Sequence, residues 1–168
     1  MSRPAEYLPI LATRLMILVA EADEPHWKIS NALGMDSKVI SNWIHGIHIP
    51  DAYSLFLLAL YFDVSVDWML GLSDSRQLVT PDAGVEDRID RQHRRLPVMS
   101  TRLTELVAEA EKHWTRRELS GRLGVGRKVL FPWMCGRHLP NAYNLRRLAK
   151  YFMVSADWLL GLTDQKRR

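Results

Sequence analysis

The sequence of 168 residues contains one cysteine, Cys135, and no long apolar run. A single cysteine excludes an internal disulfide and a metal site built from cysteines. The longest apolar stretches, such as LMILVA at 15–20, are far too short to span a bilayer. The N-terminus also lacks the basic, apolar and small-residue order of a secretory signal. We therefore expect a cytoplasmic protein with no membrane partner.

The sequence also lacks the patterns that predict strands or catalysis. No segment alternates apolar and polar residues long enough to predict a β-strand, so the expected fold class is all-α. No nucleophile–base pattern, paired carboxylates or phosphate-binding glycine loop is present, and we predict no enzyme. We expect neither a metal nor a cofactor, because the histidines are scattered at His26, His45, His48, His93, His113 and His138.

The net charge of +4 is unevenly distributed along the chain. Residues 1–74 contain 4 Lys or Arg and 9 Asp or Glu, a balance of −5. Residues 75–97 carry 5 and 4, or +1, and residues 98–168 carry 14 and 6, or +8. The second half therefore suits a polyanionic partner better than the first. The alternative is an ordinary solvated charged surface.

Two copies of one sequence module account for most of the chain. TRLMILVAEA at 13–22 recurs as TRLTELVAEA at 101–110. ISNWIHGIHIP at 40–50 recurs as LFPWMCGRHLP at 130–140, and the match continues to the end of each copy. These repeats predict two tandem domains, and the expected boundaries are 1–74 for the first domain, 75–97 for the linker and 98–168 for the second domain.

Each copy contains about five helical segments. Apolar residues three and four apart predict the first helix in both copies. Thr115 and Glu118 predict a capping box for the second helix of the second copy, whereas Asp23 or Glu24, ahead of Pro25, suits that helix start in the first. Asp36 is expected to cap the third helix, and Ser65 and Ser155 the fifth. In the linker, the apolar spacing allows a short helix over 87–95.

The segment LGMDSKVISNWIHGIHIPDAYSLFLLALYFDVSVDWMLGLSD strongly resembles the phage-repressor-like (XRE) helix-turn-helix family of bacteria and their phages. The most specific parts are Ile40-Ser41-Asn42-Trp43 with Gly46 and Pro50, and the ending YF-x-VS-x-DW-[ML]-LGL-[ST]-D. The resemblance covers both copies, about five-sixths of the chain. It implies two tandem five-helix, lambda-repressor-like domains whose third helices lie in the major groove of operator DNA.

In the first copy, Ser37, Lys38 and Asn42 match the base-reading positions of the family. Asn can pair with adenine, and Lys can reach the acceptors of guanine. Ile40, Trp43 and Ile44 are expected to face the core. The DNA-binding residues expected in this copy are Trp27, Lys28, Ser37, Lys38, Ser41, Asn42 and His45, with the start of the second helix contacting phosphate. The alternative is that these residues are merely exposed polar side chains.

In the second copy, the same register places Pro132 where the first copy has Asn42. A proline in a helix interior removes a hydrogen bond and costs about 3 kcal/mol. We therefore expect one helical turn, Arg127 to Phe131, followed by a kink. The DNA-binding residues expected in this copy are Arg116, Arg117, Arg127, Lys128, Phe131, Arg137 and His138.

The leading hypothesis is a sequence-specific regulator that binds double-stranded DNA and represses bacterial or phage genes. One chain would carry two DNA-reading heads and associate with the nucleoid, and it could also form a homodimer. The alternative is that one module binds DNA while the other mediates protein interaction, through dimerisation or through binding of an antirepressor or toxin. The charge of −5 favours the first copy for that second role, and the interrupted helix favours the second copy.

Overall fold

A computed structural model of the protein describes residues 8–80 and 84–167. Over these residues it contains ten α-helices, one 3₁₀ helix and three isolated β-bridges. The all-α prediction is confirmed for this part of the chain. None of the described helices is long and apolar enough to cross a membrane. The described chain divides into two compact units, the first running to Leu78 and including Asn141–Tyr143, and the second comprising the remainder from Val79.

Each sequence repeat contributes five α-helices in the same order. The first repeat contains α1 (Pro9–Ala22), α2 (His26–Ala32), α3 (Val39–Ile44), α4 (Ala52–Phe62) and α5 (Val66–Met69). The second repeat contains α6 (Pro97–Ala110), α7 (Arg116–Leu123), α8 (Leu130–Met134), α9 (Ala142–Tyr151) and α10 (Ala156–Leu160). The 3₁₀ helix, Glu86–Arg88, precedes the second set.

The cores of the two units are built from equivalent apolar residues. The predicted inward positions of α1 and α6, represented by Leu15 and Leu103, are fully buried. So are Ile40 on α3 and its counterpart Leu130 on α8. Burial of each such side chain contributes about 1.5–3 kcal/mol, which outweighs the weak tendency of short helices to form alone.

Several helix starts follow the sequence prediction. The hydroxyls of Ser65 and Ser155 each accept a hydrogen bond of 3.1 Å from the backbone N–H three residues later, at α5 and α10. At α7, the Glu118 N–H donates to Thr115 Oγ1 (3.3 Å) and the Thr115 N–H donates to Glu118 Oε2 (2.8 Å). The predicted capping box is therefore confirmed.

The start of α2 differs from the prediction that Asp23 or Glu24 would cap it. Pro25 occupies the capping position, and no side chain accepts a hydrogen bond there. Asp23 instead ends α1 in a left-handed conformation with φ of 50°. Glu24 accepts a hydrogen bond of 2.7 Å from the Tyr61 hydroxyl and pairs with Lys28. The prediction was wrong because proline, with its φ already fixed, takes the boundary position itself.

The linker before α6 is helical only in part. The 3₁₀ helix Glu86–Arg88 overlaps the start of the short helix expected over 87–95, and the rest of that segment forms a turn. Asp90 and Arg95 exchange two backbone hydrogen bonds, of 3.0 and 2.9 Å. The Asp90 carboxylate also accepts the His93 N–H at 3.0 Å, which stabilises the turn as an alternative to a helix. Because Ile89 and Leu96 on either side are buried, the apolar spacing is used for packing rather than for a helical face.

Arg88 fastens this segment to the end of the second unit. Its guanidinium donates to both carboxylate oxygens of Asp164, at 2.8 and 2.9 Å, and to the Gly161 carbonyl at 3.1 Å. Arg102 donates to the same carboxylate at 2.9 Å. The hydrogen bonds from Arg88 first, and then from Arg102, lower the pKa of Asp164 below its ordinary value. The carboxylate must therefore be ionised for this cluster to hold.

Replacement Asp164→Asn should reduce the loss of stability in acid. Because the pKa of Asp164 is depressed in the folded state, its contribution is complete above the ordinary carboxyl value of 3.8 and disappears as the pH falls through the folded value. Urea unfolding at about pH 7 and about pH 3 should show a smaller change for the variant than for the wild type. Asp63→Asn, which removes an exposed carboxylate elsewhere, is the charge-matched control. An identical pH response in the wild type and Asp164→Asn would contradict the assignment.

Candidate functional site

The turn between α2 and α3 determines which side chains the first unit presents. α2 ends where Gly34 takes a φ of 67° and the Met35 N–H donates to the Ser30 carbonyl at 2.9 Å. Asp36 then accepts the Lys38 N–H through its side chain (2.9 Å) and the Val39 N–H through its carbonyl (3.0 Å). The carboxylate thus closes a turn, and α3 begins at Val39 rather than directly after Asp36 as predicted. Because of this, Ser37 lies in the turn and Lys38 at its junction with α3.

The short helix α3 has a buried face and an accessible face. Ile40 and Trp43 are buried, as the sequence predicted. Ser37 and Lys38 are exposed, and Ser41 and Asn42 are half-exposed. The four predicted positions therefore occur together along one turn and the helix that follows it.

Asn42 contributes its backbone to the helix and leaves its amide group unused. Its N–H donates to the Lys38 carbonyl at 2.9 Å, and its carbonyl accepts the Ile47 N–H at 2.9 Å. Within the described residues, the side-chain amide makes no hydrogen bond. An amide with both a donor and an acceptor available can bind a partner that offers the complementary pair.

His45 is tied to its own helix. Its Nδ1 lies 2.7 Å from the Ser41 carbonyl and 3.4 Å from Ser41 Oγ. Since a carbonyl can only accept, Nδ1 must carry the proton in this contact, and Nε2 of a neutral ring is then an acceptor. His45 and Ser41 therefore have less freedom than Asn42 to bind an external group.

The two predicted residues at the start of α2 differ in their surroundings. Trp27 is 56% exposed, although tryptophan usually buries most of its surface. Lys28 forms an ion pair with Glu24, one turn earlier. This contact first, followed by the Tyr61 hydrogen bond, lowers the pKa of Glu24. Trp27 is thus available to a partner, whereas Lys28 must give up its ion pair with Glu24 in order to bind one.

In the second unit, the residues before α8 are exposed cations. Arg127 and Lys128 make no hydrogen bond or ion pair with any residue that the structure describes, and Arg117 is also exposed without such a partner. Arg116 is different, because its guanidinium donates to both oxygens of Glu111, at 2.6 and 3.1 Å. Of these predicted residues, Arg116 is therefore the one that is already neutralised.

Phe131, Arg137 and His138 lie on the exposed side of α8 and just beyond its end. Phe131 is 48% exposed, and the Arg137 guanidinium lies 5.9 Å from the centre of its ring. His138 is exposed. The unit thus places an aromatic ring among cations at the position where the first unit has Ser41.

Sequence reasoning missed two contacts of this basic region. Glu111 neutralises Arg116 across the turn before α7, and the Arg122 guanidinium stacks over the Trp114 ring, 3.4 Å from its centre. In neither pair are the two residues three or four positions apart on the same helix. The aromatic residue ahead of the capping box was the signal that could have suggested the second contact.

Pro132 lies in the first turn of α8 rather than in a helix interior. α3 begins at Val39 and contains the bond from the Asn42 N–H to the Lys38 carbonyl. Proline has no N–H group to donate the equivalent hydrogen bond. When the two repeats are aligned, α8 therefore begins one residue later than α3, at Leu130. It then continues through Met134. The prediction of a helical turn at Arg127–Phe131 followed by a kink is wrong, because N–H groups in a first turn have no intrahelical acceptor to lose.

No family model matches the chain, and neither a curated protein nor a solved structure shows a significant match to it. The resemblance described above therefore depends on the quoted residues alone. Within the described residues, no group of three or more His, Cys, Asp or Glu side chains could hold a metal ion.

Replacement Asn42→Pro should be tolerated much better than a proline in a helix interior. The change removes the hydrogen bond to Lys38 and should shorten α3 to the length of α8. We expect Asn42→Pro to be about 1 kcal/mol less stable than the control Asn42→Ala in urea unfolding. A difference of about 3 kcal/mol or more, as for an interior proline, would show that α3 cannot start later.

Proposed function

We propose that the protein is a sequence-specific transcriptional regulator that binds double-stranded DNA through two helix-turn-helix modules, most simply as a repressor. The proposal is supported by an accessible edge that occurs in both units, namely the turn before a short helix together with the exposed side of that helix. Lys38 in the first unit and Arg127 and Lys128 in the second occupy the turn before a short helix. Within the described residues, none of the three side chains has an intramolecular partner.

The first module suits base reading. An α-helix such as α3 is about 10–12 Å across with its side chains, which fits a major groove that is about 12 Å wide. Asn42 offers the donor and acceptor that adenine requires, and Lys38 can reach guanine or a phosphate. Trp27, exposed at the start of α2, supports a contact with the DNA backbone.

The second module suits phosphate binding. Within the part of the chain that the structure describes, no carboxylate pairs with Arg127 or Lys128, and Arg117 adds a third unpaired cation. Neutralising phosphates releases counterions, so we expect affinity to fall steeply with salt. Pro132 removes the amide group that the first module offers, so the second module contributes more to affinity and reads bases differently.

A second candidate function assigns the first unit to a protein partner. Its sequence carries a charge of −5 over residues 1–74, which opposes DNA. Met16 and Ile17 on α1 are 54% and 42% exposed and form an apolar pair next to each other. Footprinting of the intact protein on DNA recovered by selection, combined with the mass of the complex, separates the two functions. Two protected half-sites per bound chain indicate two reading modules, and one half-site per chain indicates that only one module reads DNA.

The double variant Lys38→Ala/Asn42→Ala should relax sequence preference in one half-site. Each base contact of this type contributes about 1–3 kcal/mol of discrimination against the wrong base. Competition between the selected duplex and single-base variants measures this loss. Lys112→Ala, which removes a cation paired with Glu109, is the matched control. Unchanged preference in the double variant would show that the first module does not read bases.

The double variant Arg127→Ala/Lys128→Ala should weaken binding to all sequences alike. If both side chains contact phosphate, the slope of log affinity against log salt should become shallower by about 2, since each phosphate contact contributes about 0.9. Arg116→Ala should change the slope less, because Glu111 already neutralises Arg116. An unchanged slope in the double variant would remove the second module from the DNA interface.

A further inference from the structure

The two units differ in character at two adjacent positions of their accessible face. Ser41 and Asn42 in the first unit correspond to Phe131 and Pro132 in the second. A hydroxyl and an amide are thus replaced by two apolar rings, one of which lacks even a backbone N–H. The core does not account for Phe131, because Leu130 and Trp133 on either side supply the buried face of α8.

The surroundings of Phe131 restrict what it can bind. The ring is 48% exposed, Arg137 lies 5.9 Å from its centre, and Arg127 and Lys128 precede it in the adjoining turn. A single aromatic ring among cations is much smaller than the surface of about 800 Å² per partner in a stable protein interface. The ring and the surrounding cations together match a polyanion that carries a small apolar group between its charges.

The edge of the major groove offers one such group. Of the four bases, only thymine presents a methyl group there, and phenylalanine is among the side chains that contact it. We infer that Phe131, with Pro132 beside it, makes the second module selective for thymine through the C5 methyl group. This inference rests on the proposed DNA-binding function and adds the base that the second module selects.

The inference also predicts an asymmetric site. The first module presents an amide, which suits adenine, whereas the second presents an apolar surface, which suits a thymine methyl group. The two half-sites recovered by selection with the intact protein should therefore differ in sequence, although the two modules are copies of one another.

Replacement of thymine by deoxyuridine tests the inference, because it removes the methyl group and leaves base pairing intact. The probe is the selected duplex with deoxyuridine throughout the half-site protected by the second module, which the Arg127→Ala/Lys128→Ala variant identifies. We expect wild-type affinity to fall about fourfold for each contacted methyl group, the factor that corresponds to about 0.8 kcal/mol. The same replacement in the other half-site should have a smaller effect.

Variants at position 131 assign the effect to one side chain. Phe131→Ser introduces the residue found in the first module and should make the thymine and deoxyuridine duplexes bind equally. Phe131→Leu should retain part of the preference. Lys112→Ala, a control outside the proposed DNA-binding residues, should retain all of it. Because Phe131 is half exposed and α8 is held by Leu130 and Trp133, circular dichroism should show unchanged folding in these variants.

The outcomes distinguish this inference from the function on which it rests. If the wild type binds no duplex after selection, the proposed function fails and the inference fails with it. If the wild type binds DNA but Phe131→Ser keeps the full thymine preference, the inference alone is overturned. Wild-type binding that is insensitive to deoxyuridine but weakened by Phe131→Ser also overturns it, since the ring would then insert between bases instead of contacting a methyl group.

Discussion

The accessible edge of each unit depends on two buried side chains in a very short helix. Helices of five or six residues are not stable alone in water, because forming the first turn fixes many dihedral angles for one hydrogen bond. α3 is held because Ile40 and Trp43 are buried, and α8 because Leu130 and Trp133 are buried. This packing fixes the direction in which the turn before each helix presents its side chains. The proposed contacts therefore depend on residues that would never touch DNA.

The same constraint explains how one scaffold can hold different accessible residues. The buried positions of the short helix are apolar in both repeats. Ile40 corresponds to Leu130, and Trp43 corresponds to Trp133. Ser41 and Asn42 lie outside the core and can become Phe131 and Pro132 without loss of the helix. In both units the end of the helix keeps the same hydrogen bond. The Asn42 carbonyl accepts the Ile47 N–H, and the Pro132 carbonyl accepts the Arg137 N–H, each at 2.9 Å. The end of the helix is thus preserved although its start is shifted.

Much of the fold could be predicted from the sequence, because its signals are local. The serine caps and the Thr115–Glu118 capping box need only residues three apart, and the repeat located the helices of both copies. The errors arose where two local options compete. The Asp36 side chain can cap a helix or close a turn. Pro25 can either follow the capping residue or occupy the capping position itself. Pro132 was misplaced because the sequence does not show whether a helix starts before or after the residue that cannot donate.

The candidate site was less predictable, because formal charge does not show which cations are free. The second repeat carries +8 over residues 98–168, yet Arg116 and Arg102 are engaged by the Glu111 and Asp164 carboxylates. Such pairs join residues on different elements, and no spacing rule connects them. Among the described residues, positive charge without an internal partner therefore remains beside α8, where Arg127 and Lys128 precede the exposed ring of Phe131. This pairing pattern, rather than net charge, supports a role for the second unit that combines attraction to a polyanion with contact to an apolar group.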